Sequence, residues 1–314
     1  MKHVFIINPV SGKKQALHYR EEIKEYFKDQ PEAYFIEVTQ YVGHAREIAR
    51  EYAQRGNYRI YAIGGDGTIN EVVSGLVGTQ SVLGVLPGGS CNDFFRSLSK
   101  EKKQDILKKT IEGPTIPIDC GQLGEEYFIN ILSVGIDADT AAYASQLTRK
   151  YRLTGKLTYF LALVSVLFKH RLRPHYRLKL TLDNERVIEQ EVLICVCTNG
   201  KYYGGGFLPI PFTQLDDGYF DICYVDHKSF WYILRTLPLF MKGRHIGVDG
   251  VHFERAKEIK IESEKEMCIN KEGEIIRSKT IEVQMLHHAV HVINPSSLEV
   301  QGVSRSATIK ERIS

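Results

Sequence analysis

The chain has 314 residues, 43% of them hydrophobic and 25% charged, with a formal net charge of +3. That length suits two domains of ordinary size, and the composition is that of a globular protein, not a disordered or fibrous one. So mild a charge makes no case for a nucleic-acid partner, although it is compatible with an anionic membrane surface or anionic ligands.

The six cysteines, at 91, 120, 195, 197, 223 and 268, form no C-x-x-C pair and no Cys/His cluster. Zinc is therefore not expected, and reduced thiols in a cytosolic setting are. Met1-Lys2-His3 runs at once into Val4-Phe5-Ile6-Ile7, too short an apolar run for a secretory signal. The longest apolar stretch, 159–168, is about half of the roughly 20 residues a spanning helix needs. No membrane crossing is expected.

In chain order, residues 4–7, 33–38, 59–63 and 82–86 predict strands, and residues 15–27, 45–54, 69–76 and 94–98 predict helices between and after them. Alternation of this kind specifies a parallel sheet covered by helices, whose ligands gather at the carboxyl ends of strands. Three polar or glycine-rich segments fall at those ends. Asn8-Pro9-Val10-Ser11-Gly12 follows the first strand; it is not a Walker loop, and alone it reads as a strand-to-helix turn. Gly64-Gly65-Asp66-Gly67-Thr68 lies between a strand and the helix opened by Ile69-Asn70-Glu71. Its glycines let backbone N–H groups approach an anion, the helix dipole favours the same charge, and its carboxylate suits a hydrated divalent cation. Pro87-Gly88-Gly89-Ser90-Cys91-Asn92-Asp93 opens the next helix. Asp93 reads either as a cap or, with Ser90 and Asn92, as a phosphate or ribose contact.

After a charged helix at 101–113 the character changes. Strands are predicted at 115–123, 127–134, 176–182, 187–197, 219–225, 258–262, 266–270, 280–285 and 290–293, with helical insertions near 137–168 and 229–241. This half reads as mainly antiparallel β, a sandwich. Residues 157–168 are apolar and bounded by Lys150, Arg152, Lys156, Lys169, Arg171, Arg173 and Arg177. They read as a helix docking on an anionic bilayer or, equally, as a buried helix with solvated ends. Asp216-Asp217-Gly218 and Glu272-Gly273-Glu274 both read as hairpin turns. His287-His288 has no carboxylate cluster beside it in the sequence and reads as a pair of surface histidines.

Taken together, the segments at 8–12, 64–73 and 87–96 resemble the N-P-x-S-G, G-G-D-G-T-x-N-E-V and P-x-G-T-x-N-D-F-A-R motifs of the bacterial diacylglycerol kinase–like lipid kinases, relatives of sphingosine and ceramide kinases. Ser90 stands for threonine and Phe95 for alanine in the third motif. The resemblance implies an α/β fold of the NAD kinase/diacylglycerol kinase type: a nucleotide-binding domain at 1–125, with a parallel sheet in three layers; a β-sandwich domain with a lipid cleft at 126–294; and a tail at 295–314 lying back on the first domain. It implies ATP held by Asn8, Pro9, Val10, Ser11, Gly12, Thr39, Gly64, Gly65, Asp66, Gly67, Thr68, Ile69, Asn70, Ser90, Asn92 and Asp93, with Asp66 acting through Mg2+. It further implies a structural Mg2+ at Gln214, Asp217 and Tyr219, and a base at Glu272 or Glu274, where the family carries D-G-E, opposite the nucleotide in a gap between the domains. The partner is then a lipid at the membrane surface, diacylglycerol or a related hydroxyl lipid, for a cytoplasmic, peripherally associated enzyme, with a homodimer compatible. An NAD kinase-like enzyme with a soluble acceptor, or a homologue that binds without catalysis, are the alternatives.

Overall fold

The apolar runs at the start of the chain form parallel strands because both faces of the sheet they build are covered, which lets each strand be apolar throughout. In a computed structural model the described residues are 1–99, 105–151, 156–170 and 176–296. They fall into two units, divided after Cys120 and again after Met285.

In the first unit β1 (Lys2–Ile7) leads through a 3-10 stretch (Ser11–His18) into α1 (Tyr19–Tyr26). There follow β2 (Tyr34–Val38), α2 (His44–Arg55), β3 (Tyr58–Gly64) and α3 (Asp66–Leu76). β4 (Val82–Pro87), α4 (Asp93–Leu98) and α5 (Ile106–Glu112) complete the alternation. The strands run parallel in the order β4, β3, β1, β2, around a core that includes Phe5, Ile6, Ile60, Tyr61 and Leu83. Register pairs Ile7 with Val38 and Ile63, and Gly64 with Pro87. The residues that follow these strands therefore emerge along one edge of the sheet. Of the charged helix expected at 101–113, residues 101–104 lie outside the described residues.

The second unit takes up the chain within β5 (Thr115–Leu123), followed by β6 (Glu126–Phe128) and β7 (Ile131–Gly135). Two helices, α6 (Ile136–Tyr151) and α7 (Lys156–His170), precede β8 (Tyr176–Leu182) and β9 (Arg186–Thr198). β10 (Phe220–Asp226), α8 (Phe230–Met241), β11 (Val251–Ala256), β12 (Glu258–Lys271) and β13 (Glu274–Ile293) complete the unit. β9 pairs with β7, β7 with β12, β12 with β8 and β8 with β9, so these four strands close into a ring of antiparallel pairs. Inside it pack Leu132, Leu180, Phe220, Ile261 and Ile269.

Several expectations are corrected. β11 is not among the predicted strands: Val251-His252-Phe253-Glu254 alternates, but Arg255 cuts the pattern off after four residues. The run 127–134 is two strands, separated at Ile129-Asn130. The pieces at 258–262 and 266–270 are one strand whose register shifts between Glu262 and Met267. The pieces at 280–285 and 290–293 belong to the 20-residue β13, whose end pairs in parallel with β4 at His291 and Val292. That pairing draws the chain beyond Met285 into the first unit. Of the tail expected at 295–314, Ser296 shares a 2.8 Å hydrogen bond with Ser99, and residues 297–314 lie outside the described residues.

Candidate active site

The loops at the strand ends of the first unit meet through their backbones. Gly88 N–H donates to Gly64 O at 2.9 Å. A Cβ on Gly89 would lie 2.3 Å from Gly65 Cα, and one on Gly12, whose φ is +54°, would lie 2.2 Å from the Gly88 carbonyl oxygen. Real Cβ atoms do not come that close, so glycine at 12 and 89 is what lets the three loops touch. Side chains fix the arrangement. Asn8 Nδ2 donates to Thr68 Oγ1 at 2.9 Å, and Asn8 Oδ1 accepts the Val10 N–H at 3.2 Å. Asn92, in the left-handed region, folds back to exchange two 2.9 Å hydrogen bonds with the Gly89 backbone. Asp66 Oδ1 accepts the Phe94 N–H at 2.9 Å. Thr39 joins the group because its N–H donates to Ile7 O at 2.9 Å.

No side chain caps α3, whose N-cap residue is Gly65, so its first N–H groups face the loop cluster with the positive end of the helix dipole behind them. Gly67 and Ser90 are exposed, Ser11, Gly12, Gly64–Asp66 and Asn70 line the less exposed part, and Asp93 is buried, with Arg96 at 3.4 Å. Every residue expected to contact a nucleotide lies in these loops or at the start of the helices they open. The cluster can receive a polyanion on backbone N–H groups, with one carboxylate for a cation.

In the second unit Glu272 (φ 53°) and Gly273 (φ 90°) form the two-residue turn between β12 and β13, both with positive φ, as a tight hairpin requires. The turn positions its acid unusually firmly. Glu272 Oε1 accepts the N–H groups of Ile129, Asn130 and Ile131 at 3.0, 2.5 and 3.3 Å. Those N–H groups belong to the break between β6 and β7 and to the first residue of β7, where the carboxylate takes the place of a strand partner. Glu274 is exposed and lies 3.2 Å from Lys271, whose buried ammonium also pairs with Glu126. The two acids thus have different surroundings, one locked into the backbone and one in a surface ion pair.

The Gln214–Tyr219 loop departs from the expected cation site. Asp217 Oδ2 pairs with Arg255, Asp217 Oδ1 accepts the Tyr219 N–H at 3.3 Å, and the guanidinium lies 4.5 Å from the Tyr219 ring centroid. Arg255 also lies 3.1 Å from the buried Asp221. A divalent ion at Gln214, Asp217 and Tyr219 would have to share the Asp217 carboxylate with this guanidinium, so the loop is less open to a cation than expected. Arg255 sits on β11, where it cuts the alternation off. The Asp66 carboxylate, by contrast, fits Mg2+, which commonly takes one or two carboxylates together with substrate phosphates.

One further contact escaped the sequence reading. Asp119 lies beside His287, in contact with the pair read as isolated surface histidines. An apolar cavity lined by Ile136, Thr140, Leu163, Leu193, Phe207 and Phe240 among others opens among α6, α7, α8 and their sheet, in the unit for which the resemblance implies a lipid cleft. α7 buries Ala162, Val166 and Leu167 while exposing Leu161 and Phe168, and α8 exposes Trp231, Leu234 and Met241. No described helix is long and apolar enough to cross a membrane. Of the basic flanks, Lys150 is exposed and Arg177 lies 3.6 Å from Glu189. Arg152, Arg171 and Arg173, and the side chains of Lys156 and Lys169, lie outside the described residues.

With this geometry in view, comparison with known proteins defines a class of fold. The chain is similar to a crystal structure of a diacylglycerol kinase from Bacillus anthracis (22% identity, TM-score 0.67, covering 93% of this chain and 96% of that one). It is also similar in fold to yeast NADH kinase complexed with NADH (11% identity, TM-score 0.51, covering 98% and 90%). The family profile of the diacylglycerol kinase catalytic domain matches residues 2–123, and that of the YegS C-terminal NAD kinase beta sandwich-like domain matches residues 130–294. The diacylglycerol kinase of Bacillus subtilis is 31% identical, covering 94% of this chain and 97% of the relative, and that of Staphylococcus carnosus is 28% identical over 86% and 87%. The chain belongs to the diacylglycerol kinase–like family of bacterial lipid kinases.

Proposed function

We propose that the protein transfers the γ-phosphoryl group of ATP, as its Mg2+ complex, to the hydroxyl of diacylglycerol or a closely related lipid. The observation that carries this reading is the meeting of three glycine-rich loops at the uncapped start of α3, with Asp66 among them. Backbone N–H groups there bind the phosphates, Asp66 would hold Mg2+, which would supply positive charge for the phosphates, and stabilisation of charge on the transferring group provides most of the catalysis. Glu272 accepts the proton of the lipid hydroxyl. It is preferred to Glu274 because a base must be held in place, and three backbone N–H groups hold Glu272.

The lipid class is supported by the apolar cavity of the second unit, whose lining suits an acyl chain. The helices that line it also carry exposed Leu161, Phe168, Trp231 and Leu234. Aromatic and aliphatic side chains set this way on helices suit shallow insertion into a bilayer, so the enzyme works as a cytoplasmic protein at the membrane surface. The name of the Bacillus subtilis relative gives diacylglycerol as the first acceptor to test.

The experiment is a labelled-ATP assay with diacylglycerol in phosphatidylglycerol vesicles, a total lipid extract and NAD as parallel acceptors, with mass spectrometry of the product. Labelled phosphatidate, with none in the NAD arm, is expected. Label on NAD alone overturns the lipid reading. ATP binding by calorimetry without transfer to any acceptor overturns the catalytic one.

A further inference from the structure

β5 and β13 are the strands along which the chain leaves the first unit and returns to it. Just inside that unit, on neighbouring stretches of the two, Asp119 meets His287 and His288. Asp119 is completely buried, and its Oδ1 accepts hydrogen bonds from the His288 backbone N–H and from His287 Nδ1, both at 2.8 Å. Consecutive side chains on a strand point to opposite faces. His288 has a φ of 53°, which breaks the alternation and brings both imidazoles to one side. Their centroids are 3.6 Å apart and their planes 28° from parallel. Ligand atoms of all three side chains lie within 4.8 Å of one another.

Two imidazolium rings stacked at this distance would repel, whereas a single divalent cation that prefers neutral imidazole draws both rings and the carboxylate to one centre. It would take the place of the hydrogen that His287 Nδ1 shares with Asp119, the neutral ring keeping its proton on Nε2. Two nitrogens and one carboxylate oxygen form a donor set for Zn2+ and its chemical neighbours Co2+ and Ni2+, and a poor one for Mg2+ or Ca2+. Both histidines are exposed, which gives the ion a way in and leaves its remaining position to water. We infer that Asp119, His287 and His288 form a binding site for one zinc-type ion, which cross-links β5 to β13.

The test uses the full chain, stripped with a chelator and titrated with Co2+ while visible absorption is followed. Thermal unfolding is then measured with Zn2+ or Mg2+. The wild type is expected to take up one Co2+ with a tetrahedral spectrum and to unfold at a higher temperature with Zn2+ but not with Mg2+. His287→Ala removes an exposed ring and one hydrogen bond to Asp119 while the His288 N–H bond to the same oxygen remains, so it should fold while losing both effects; Asp119→Asn serves as a second variant. Absence of uptake by the wild type, or an unchanged spectrum and unchanged Zn2+ effect in His287→Ala, overturns the assignment.

Discussion

The Asp66 carboxylate accepts the Phe94 N–H at 2.9 Å, so the acid of one loop starts the helix that follows another. This single bond links the second and third motifs, and it fixes one oxygen of the carboxylate that the proposed Mg2+ requires. Asp66→Asn keeps a carbonyl oxygen for Phe94 but loses the charge. The variant should unfold within a few degrees of the wild type while phosphoryl transfer drops by about 10²-fold or more. Equal turnover at saturating Mg2+ and ATP would remove Asp66 from the mechanism.

Glu272 and Glu274 can be separated by the same reasoning. Glu272→Gln retains an oxygen for the N–H groups of Ile129, Asn130 and Ile131 but cannot take a proton. Its kcat should fall by about 10²–10⁴-fold with little loss of stability, the range typical of a missing general base. Glu272→Ala should cost stability as well, about 1–3 kcal/mol for each N–H left without an acceptor. Glu274→Gln should change kcat little, since an exposed ion pair with Lys271 is all it gives up. Steady-state kinetics and denaturant titrations on the three variants check this.

The cavity predicts a chain-length effect. Leu163→Trp places a larger ring in the space lined by Ile136, Leu193 and Phe240. The KM for a long-chain diacylglycerol should rise about tenfold, equivalent to roughly 1.4 kcal/mol, while the KM for ATP stays put. A short-chain acceptor should be much less affected. A parallel rise for both acceptors would point to general damage to the unit instead.

His3 predicts a pH dependence of stability. Burial, with Arg59 and the amino terminus nearby, lowers its pKa from 6.5 to about 4. The unfolded chain therefore binds the proton more readily than the folded one across that interval. The stability associated with the neutral ring is fully present above pH 6.5 and is lost as the pH falls towards 4. His245, buried and stacked 3.8 Å from Phe240, is shifted in the same direction by desolvation. Urea titrations between pH 6.5 and 4 should show falling stability, with a shallower fall in His3→Phe. An identical slope in that variant would assign the effect elsewhere.

The parallel half was readable because each of its strands is a short apolar run with glycine or polar residues at its end, and the end is where ligands collect. Gly64–Thr68 could be picked out by residue type and position, whereas Asn8 and Asn92 needed the resemblance of their motifs. What could not be read was which groups answer each other across long stretches of chain. Arg255 reaches Asp217 from a strand whose alternation is broken by charge, and nothing local marks it as a partner. Asp119 stands 168 residues from His287. The cavity is built from ordinary core residue types on three helices and a sheet, and only packing distinguishes a wall from a core. Glu272 was visible as a turn residue and a candidate acid, but its three N–H donors come from a strand break about 140 residues earlier.

β13 adds the last strand of the amino-terminal sheet, beside β4, after the whole β-rich unit has been traversed. A ribosome releasing this chain therefore exposes an incomplete sheet edge until His291 and Val292 have been made. The unit that begins first must finish last, so a premature stop before His291 would leave β4 open to pairing with another molecule.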